Sequence, residues 1–426
     1  MHESLREKSR LRAVTPFSQV IIGERTAYLD SIRAFAAIQV LLLHFASGFL
    51  PDLVAPSPAS RLAAAIHGSP LSFLYDGTSA VYIFFCLSGY VLTRSFQRDP
   101  CSMPRQMAAR AVRLGLPALA ATVFAASVIL LFGKANVQAG LLTDNAWLSK
   151  QWNIDVSMLS LLKDGVFNAL FLGYRDVPGI GLLAPWQNRL NESFVAPFWT
   201  LSTEFYGSVM ILVLCRCARQ APRIWLAIAI LGTLYTIRSA YICFFVGHLL
   251  ASVRYADRPA SQRRPIATIF ILTGLFLCVI AEVWQPAWLI RLCSLDTVWL
   301  FPGQFPPMQH KAFGAILILI GIMDHQACRD FLGHPRLVGL SKFSFPLYLV
   351  HWPVLCGLSS TAFVALSEIW STESARIPAI LLGLAASAAV SYAFRPVDRC
   401  AIWLSSRIRI SRLQQQLSLP ISEARA

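Results

Sequence analysis

An arginine and a histidine, Arg33 and His44, lie eleven residues apart in the apolar stretch YLDSIRAFAAIQVLLLHF. On an α-helix that spacing is three turns plus about 20°, with roughly 16 Å of rise. One helical face would then carry a guanidinium near its inner end and an imidazole in its outer half. An imidazole ordinarily titrates near neutrality, which suits general-base work. Blander readings stand beside this one: an interhelical hydrogen bond for His44, and a snorkelling anchor or an ion pair with Asp30 for Arg33. Glu204, in PFWTLSTEFYG, falls in another apolar stretch, where a carboxylate must be paired, protonated or solvated. Its expected depth matches that of His44, so it could orient that ring and stabilise its charged form. His351 in SFPLYLVHWPV reads as a further polar contact or a core histidine, and His248 in FFVGHLL as a weaker version of the same. Ser202 and Thr203 read as packing or hydrogen-bonding residues rather than nucleophiles.

A second set is basic. In PRQMAARAVRLGLP, Arg110 and Arg113 are three residues apart on one helical face, and Arg94 and Arg98 are four apart nearby. Such a set could hold the phosphates of a large soluble donor. The bias of cytoplasmic loops toward positive charge accounts for the same residues without a ligand. Metal chemistry has no comparable signal: His325 and His334 are nine residues apart, too loose to use. The ten Cys fall singly and irregularly, giving neither a disulfide framework nor a zinc site.

Buried charges of this kind need a scaffold, and the composition says which. Hydrophobic residues make up 56% and charged residues 14% of the 426, where an ordinary globular domain carries about 25% charge. The apolar runs are far longer than the buried strands of a soluble α/β enzyme. The expectation is an all-α, polytopic helical bundle in a membrane, with about ten spans. They fall near 28–50, 75–93, 114–133, 198–215, 223–237, 239–253, 265–286, 312–325, 343–366 and 377–394. The fifth and sixth are weak, and the second, bracketed by Gly77 and Gly89, is expected to be irregular. Of the 37 Lys and Arg, 26 fall on the N-terminal side of this topology, ten on the other, and Arg33 within the first span. That asymmetry places both termini in the cytoplasm. It also explains the net charge of +15 without nucleic acid. The first span is expected to be retained, not cleaved as a signal peptide. The chain divides into a basic N-terminal segment (1–27), a membrane domain (28–400) and a basic tail (401–426). Within the domain, 134–197 is a long outer segment, of which 147–164 reads as an interfacial helix.

These stretches together resemble the membrane-bound acyltransferase-3 family. YLDSIRAFAAIQVLLLHF is similar to its first-helix signature, an Arg and a His with ten residues between them, matched by Arg33 and His44. GTSAVYIFFCLSGYVL resembles its second-helix segment through Gly77, Ser88 and Gly89. ARAVRLGLP resembles its basic segment through Arg110, Arg113 and Pro117. FWTLSTEFY places the family glutamate on Glu204, with Thr200 where a serine is common. FLGHPRLVGLSKFSFPLYLVHWPV aligns His351. At the family's late Glu-x-Pro, FRPVDRC offers Asp398 and Cys400, keeping the acid and losing the proline. Residues 401–426 are too few for the hydrolase-like domain that some members carry.

The resemblance implies transfer of an acyl group, commonly acetyl, from acyl-coenzyme A to a hydroxyl of an exopolysaccharide, surface glycan or lipid-linked saccharide. It implies no permanently bound cofactor and a bacterial inner-membrane location among lipids. On this reading His44 and Glu204 are catalytic. Arg33, Arg94, Arg110 and Arg113 face the donor, and His351, Trp199 and Tyr90 the acceptor. An acyl-histidine is the competing chemical route. A transporter or flippase of a glycan or acylated lipid is the rival function, and it predicts no release of thiol.

Overall fold

Hydrocarbon offers a peptide group no partner, so long apolar stretches close their own hydrogen bonds as helices. The computed structural model describes residues 26–99, 101–176, 181–237, 239–253, 264–284 and 308–409, and they form a helical bundle. The main elements are α1 (Tyr28–Phe49), α2 (Gly77–Arg98), α3 (Met103–Phe132), α4 (Trp199–Gln220), α5 (Pro222–Tyr235) and α6 (Tyr241–Ser252). There follow α7 (Arg264–Trp284), α8 (Gln309–Asp324), α9 (Gln326–Leu332), α10 (Pro335–Pro353) and α11 (Thr372–Arg409). Beyond Pro353, α10 continues through a wide π-helical turn (Val354–Ser359) to Ser367. The N-terminal residues 1–25, Arg238, the basic loop 254–263, the stretch 285–307 with Arg291, and the tail 410–426 lie outside the described residues.

The ten expected spans are matched in part. Among the described residues, six helices are long and apolar enough to cross a membrane: α1, α2, α3, α4, α10 and α11. A seventh forms if α8 and α9 are one span across a 92° bend. α5, α6 and the apolar part of α7 (Pro265–Val279) coincide with expected spans but are shorter. Hydropathy registers an apolar run without registering whether it reaches both faces. It also underestimates where helices end. α3 starts at Met103 and α11 reaches Arg409, because a helix continues into polar surroundings that long arginine side chains line. α2 is regular through Gly89. The expected interfacial helix at 147–164 is two pieces, Ala146–Ser149 and Met158–Leu162, the latter running on to Leu172. Between them Trp152 has φ of 59°, which no helix accepts.

Packing divides α1 in two. Its inner half puts Tyr28, Leu29 and Ile32 into a core shared with α2, α4, α6, α7 and α8. Its outer half puts Leu41, Phe45 and Phe49 against Leu355, Phe363 and Ala379 of the α10–α11 side. A further core joins α3 and α10 to the outer segment through Ala118, Ala121, Trp152, Phe194 and Trp352. Close approach stands in for hydrophobic driving force within lipid. A Cβ on Gly247 of α6 would sit 2.1 Å from the Cys86 carbonyl oxygen, and one on Gly89 of α2 would sit 2.4 Å from that of Phe244. α1 is therefore wedged between two bundles, and its polar face looks along the seam.

Candidate active site

Toward the C-terminal end of α1, the seam is where α1 meets α10. Nδ1 of His44 is 2.9 Å from Nε2 of His351, and Nδ1 of His351 is 3.1 Å from the Leu347 carbonyl oxygen one turn earlier. The two rings lie 5.0 Å apart between centroids and nearly parallel, at 21°. His351 is 0% exposed, whereas His44 is only partly buried. Trp352 stands edge-on to His44 at 5.2 Å, and Trp147 lies parallel to it at 6.3 Å.

Trp147 is brought there by a specific clasp. The last carbonyls of α1 have no partner within the helix. Asn145 supplies one, donating through Nδ2 to Ser47 at 2.6 Å and Gly48 at 2.9 Å. Its Oδ1 meanwhile accepts from the N–H groups of Trp147 and Leu148, starting the short turn that carries the indole. Further into the outer segment, Asp164 is fully buried and accepts from the Tyr174 hydroxyl at 2.9 Å and the Phe194 N–H at 2.8 Å. Burial pushes its carboxyl up to about 7 against these donors, and burial beside Asp164 pushes the Tyr174 hydroxyl up too. The indole of Trp152 donates to the Phe194 carbonyl, completing a strut that leads into α4.

Toward the N-terminal end of α1 the seam is lined by arginines, each matched to a carboxylate. Arg110 of α3 donates to Glu204 Oε1 and, through Nε, to Ser208 Oγ of α4 at 2.8 Å. Arg113 pairs with Asp398 of α11 at 2.7 Å and lies 4.9 Å over the ring of Phe345. Arg33 pairs with Asp30 at 3.3 Å. Arg33, Arg113 and Arg409 all lie within electrostatic reach of Arg110. Arg33 and His44 thus share one uninterrupted helix, with the cationic group toward its N-terminal end and the histidine pair toward its C-terminal end.

Three expectations change. Glu204 is not on His44: one oxygen is taken by Arg110 and the other makes no hydrogen bond among the described residues. The place beside the ring is filled by His351, whose own nitrogens both face partners and leave none for an acceptor. Tyr90 is 1% exposed and its hydroxyl accepts from Arg94 at 3.0 Å, so its ring offers an acceptor no face. Trp199 is half-buried with its ring edge-on to Phe85 at 6.3 Å. Sequence reasoning missed Trp147, Trp352 and Tyr348. Only adjacency flagged Trp352, and only an aromatic in a long polar segment flagged Trp147. Tyr348 donates to the Pro197 carbonyl and accepts from Thr200 Oγ1 at 2.5 Å, so threonine does the work of the more common serine. Among the described residues no group of three His, Cys, Asp or Glu could hold a metal.

An imidazole pair, one ring buried and the other partly exposed, thus shares the seam with arginines that are each paired with a carboxylate. The chain is 25% identical to O-acetyltransferase PaAT-1 of Phomopsis amygdali, covering 78% of this chain and 72% of that one. It is also 25% identical to acyltransferase MdmB of Streptomyces mycarofaciens, covering 78% of this chain and 79% of that one. No solved structure matches. A family profile described as an acyltransferase domain, Acyl_transf_3, matches residues 26–395, and this chain belongs to that family.

Proposed function

We propose that the protein transfers an acyl group, acetyl in the first instance, from acyl-coenzyme A to a hydroxyl of a surface polysaccharide or lipid-linked glycan. The observation that carries this is the sharing of α1 by the partly exposed His44 and by Arg33, beside Arg110 and Arg113. An elongated donor suits it. The phosphates match the guanidiniums, and the pantetheine arm follows α1 outward to bring the thioester to His44. There the acceptor hydroxyl gives its proton to the imidazole as its oxygen attacks the thioester carbon. The carbon–sulfur bond breaks, and the departing thiolate takes the proton back, leaving an ester and free coenzyme A. In the competing route the imidazole itself carries the acyl group between donor and acceptor. Glu204 acts through Arg110, holding it toward the donor.

Acetyl is supported by the name of the Phomopsis relative, and a bacterial membrane by the Streptomyces origin of the other. Ten crossings with both termini cytoplasmic are supported by the excess of Arg and Lys on that side. The test is release of thiol from acetyl-coenzyme A by the purified protein, with and without an extracted glycan pool. Acceptor-dependent release is expected, and His44→Ala should lower it by about 10²–10⁴-fold. Full activity in His44→Ala would end the reading. Glycan movement without thiol release would point to a transporter instead.

A further inference from the structure

We propose that His351 is a positioning residue that holds the proton of His44 on Nδ1, making Nε2 of His44 the atom that meets the acceptor hydroxyl. This rests on the acyl-transfer reading and adds to it the reacting atom and the group that selects it.

The direction of the chain is forced from one end. A backbone carbonyl has no hydrogen to give, so His351 Nδ1, 3.1 Å from the Leu347 oxygen, must be the donor. A neutral imidazole carries one N–H, so Nε2 of His351 is a bare lone pair. That lone pair faces Nδ1 of His44 at 2.9 Å, and the contact is a hydrogen bond only if His44 carries its hydrogen there. Nε2 of His44 is then the unprotonated nitrogen. A carbonyl on α10 thus decides the tautomer of a ring on α1, two bonds away.

Burial separates the two roles. His351 is 0% exposed and both its nitrogens are engaged, so no substrate can reach it. His44 is partly exposed, and among the described residues its Nε2 makes no hydrogen bond. Trp352 packs edge-on against His44, limiting rotation of the ring away from its partner. The arrangement also survives the proton's arrival. When Nε2 of His44 accepts a proton, its Nδ1–H still donates to His351, whose bond to Leu347 is undisturbed. His351 neither gains nor loses a proton through the cycle. The same nitrogen is selected whether His44 acts as base or carries the acyl group.

Three substitutions separate this from a packing role. His351→Gln can still accept from His44, His351→Leu cannot, and His351→Lys presents only donors and would hold the proton of His44 on Nε2. Locking a catalytic histidine in the wrong tautomer costs on the order of 10⁴ in a serine protease. The expected falls in kcat are about 10-fold for Gln, about 10²-fold for Leu, and for Lys down to the level of His44→Ala. KM for acetyl-coenzyme A should stay unchanged in Gln and Leu, because His351 touches no substrate. Wild-type protein with 15N-labelled histidine gives a readout independent of how the variants fold. The His44 resonances, identified by their loss in His44→Ala, should show the proton on Nδ1. A proton on Nε2, or wild-type kcat in His351→Leu, would overturn the proposal. If His44→Ala is inactive while His351→Leu is not, only this inference falls; if His44→Ala is active, the acyl-transfer reading falls with it.

Discussion

Two histidines within this bundle make the same kind of contacts and end in opposite states. His248 on α6 receives the indole N–H of Trp225 at Nε2, 2.9 Å away, and its Nδ1 lies 2.9 Å from Thr93 Oγ1. Thr93 spends its own hydrogen on the Gly89 carbonyl at 2.7 Å, so it must accept from Nδ1. Both nitrogens of His248 are thereby consumed, and the residue is 0% exposed. His44 has one nitrogen consumed, by His351, and among the described residues the other is left over on a partly exposed ring. A histidine inside a membrane protein is therefore available for chemistry according to how many of its nitrogens its neighbours leave alone. Depth and helix face do not decide it.

The sharpest way to break this comparison is to remove each ring in turn. His44→Phe should abolish transfer, with a loss of about 10²–10⁴-fold, while thermal stability in detergent moves little. His248→Phe should do the reverse. It strands the partly buried Trp225 N–H, costing about 1–3 kcal/mol of stability, and leaves turnover per folded molecule near wild type. If both variants lost activity in proportion to folded yield, the distinction would disappear.

The next effect concerns the outer segment over His44. The carboxyl of Asp164 lies near 7 in the folded protein, above its usual 3.8. The folded state therefore holds that proton more tightly than the unfolded one. Stability from this group is complete below pH of about 4 and is lost as pH rises through about 7, a change of up to about 4 kcal/mol. Hydrogen exchange should show residues 146–195 losing protection over that window beyond the intrinsic rate, with α6 around His248 as the internal control. Asp164→Asn should flatten the slope; an unchanged slope would remove Asp164 as its cause.

Smaller again is the inner end. Arg113→Gln should raise KM for acetyl-coenzyme A about tenfold with kcat largely kept, since one charged hydrogen bond is worth about 1.5–3 kcal/mol. A fall in kcat at constant KM would place Arg113 in the chemistry instead. Smallest is the tie from α4 to α10. Thr200→Ser keeps the hydroxyl that Tyr348 accepts from and should shift stability by less than about 0.5 kcal/mol, whereas Thr200→Val should cost about 1 kcal/mol.

The helical bundle and the shared helix of Arg33 and His44 were legible because they depend on local periodicity and composition. A 3.6-residue repeat within one segment fixes what lies on one face whatever packs against it. The partners were not legible, because they depend on how separate segments align. Glu204 fell on Arg110 rather than on His44, and His351 took the position expected of an acid. Depth estimated from distance along an apolar run carries an error of a turn or more when α3 and α11 extend past their hydrophobic parts. Trp147 lay beyond sequence reasoning for another reason: its position depends on an asparagine finding carbonyls in a helix 97 and 98 residues away. The acid of FRPVDRC was legible as a departure, and its pairing with Arg113 gives it a place.

The paired arginines have a consequence for how a donor is admitted. Asp30, Glu204 and Asp398 each pair with one of Arg33, Arg110 and Arg113, so none of these three cations stands bare. On the proposed reading an incoming polyphosphate would compete with carboxylates already seated, so admission would be an exchange of anions and its strength a difference between two similar attractions. Such a difference is small by construction. On that reading it would let spent coenzyme leave as readily as fresh coenzyme arrives, because the resident acids would return.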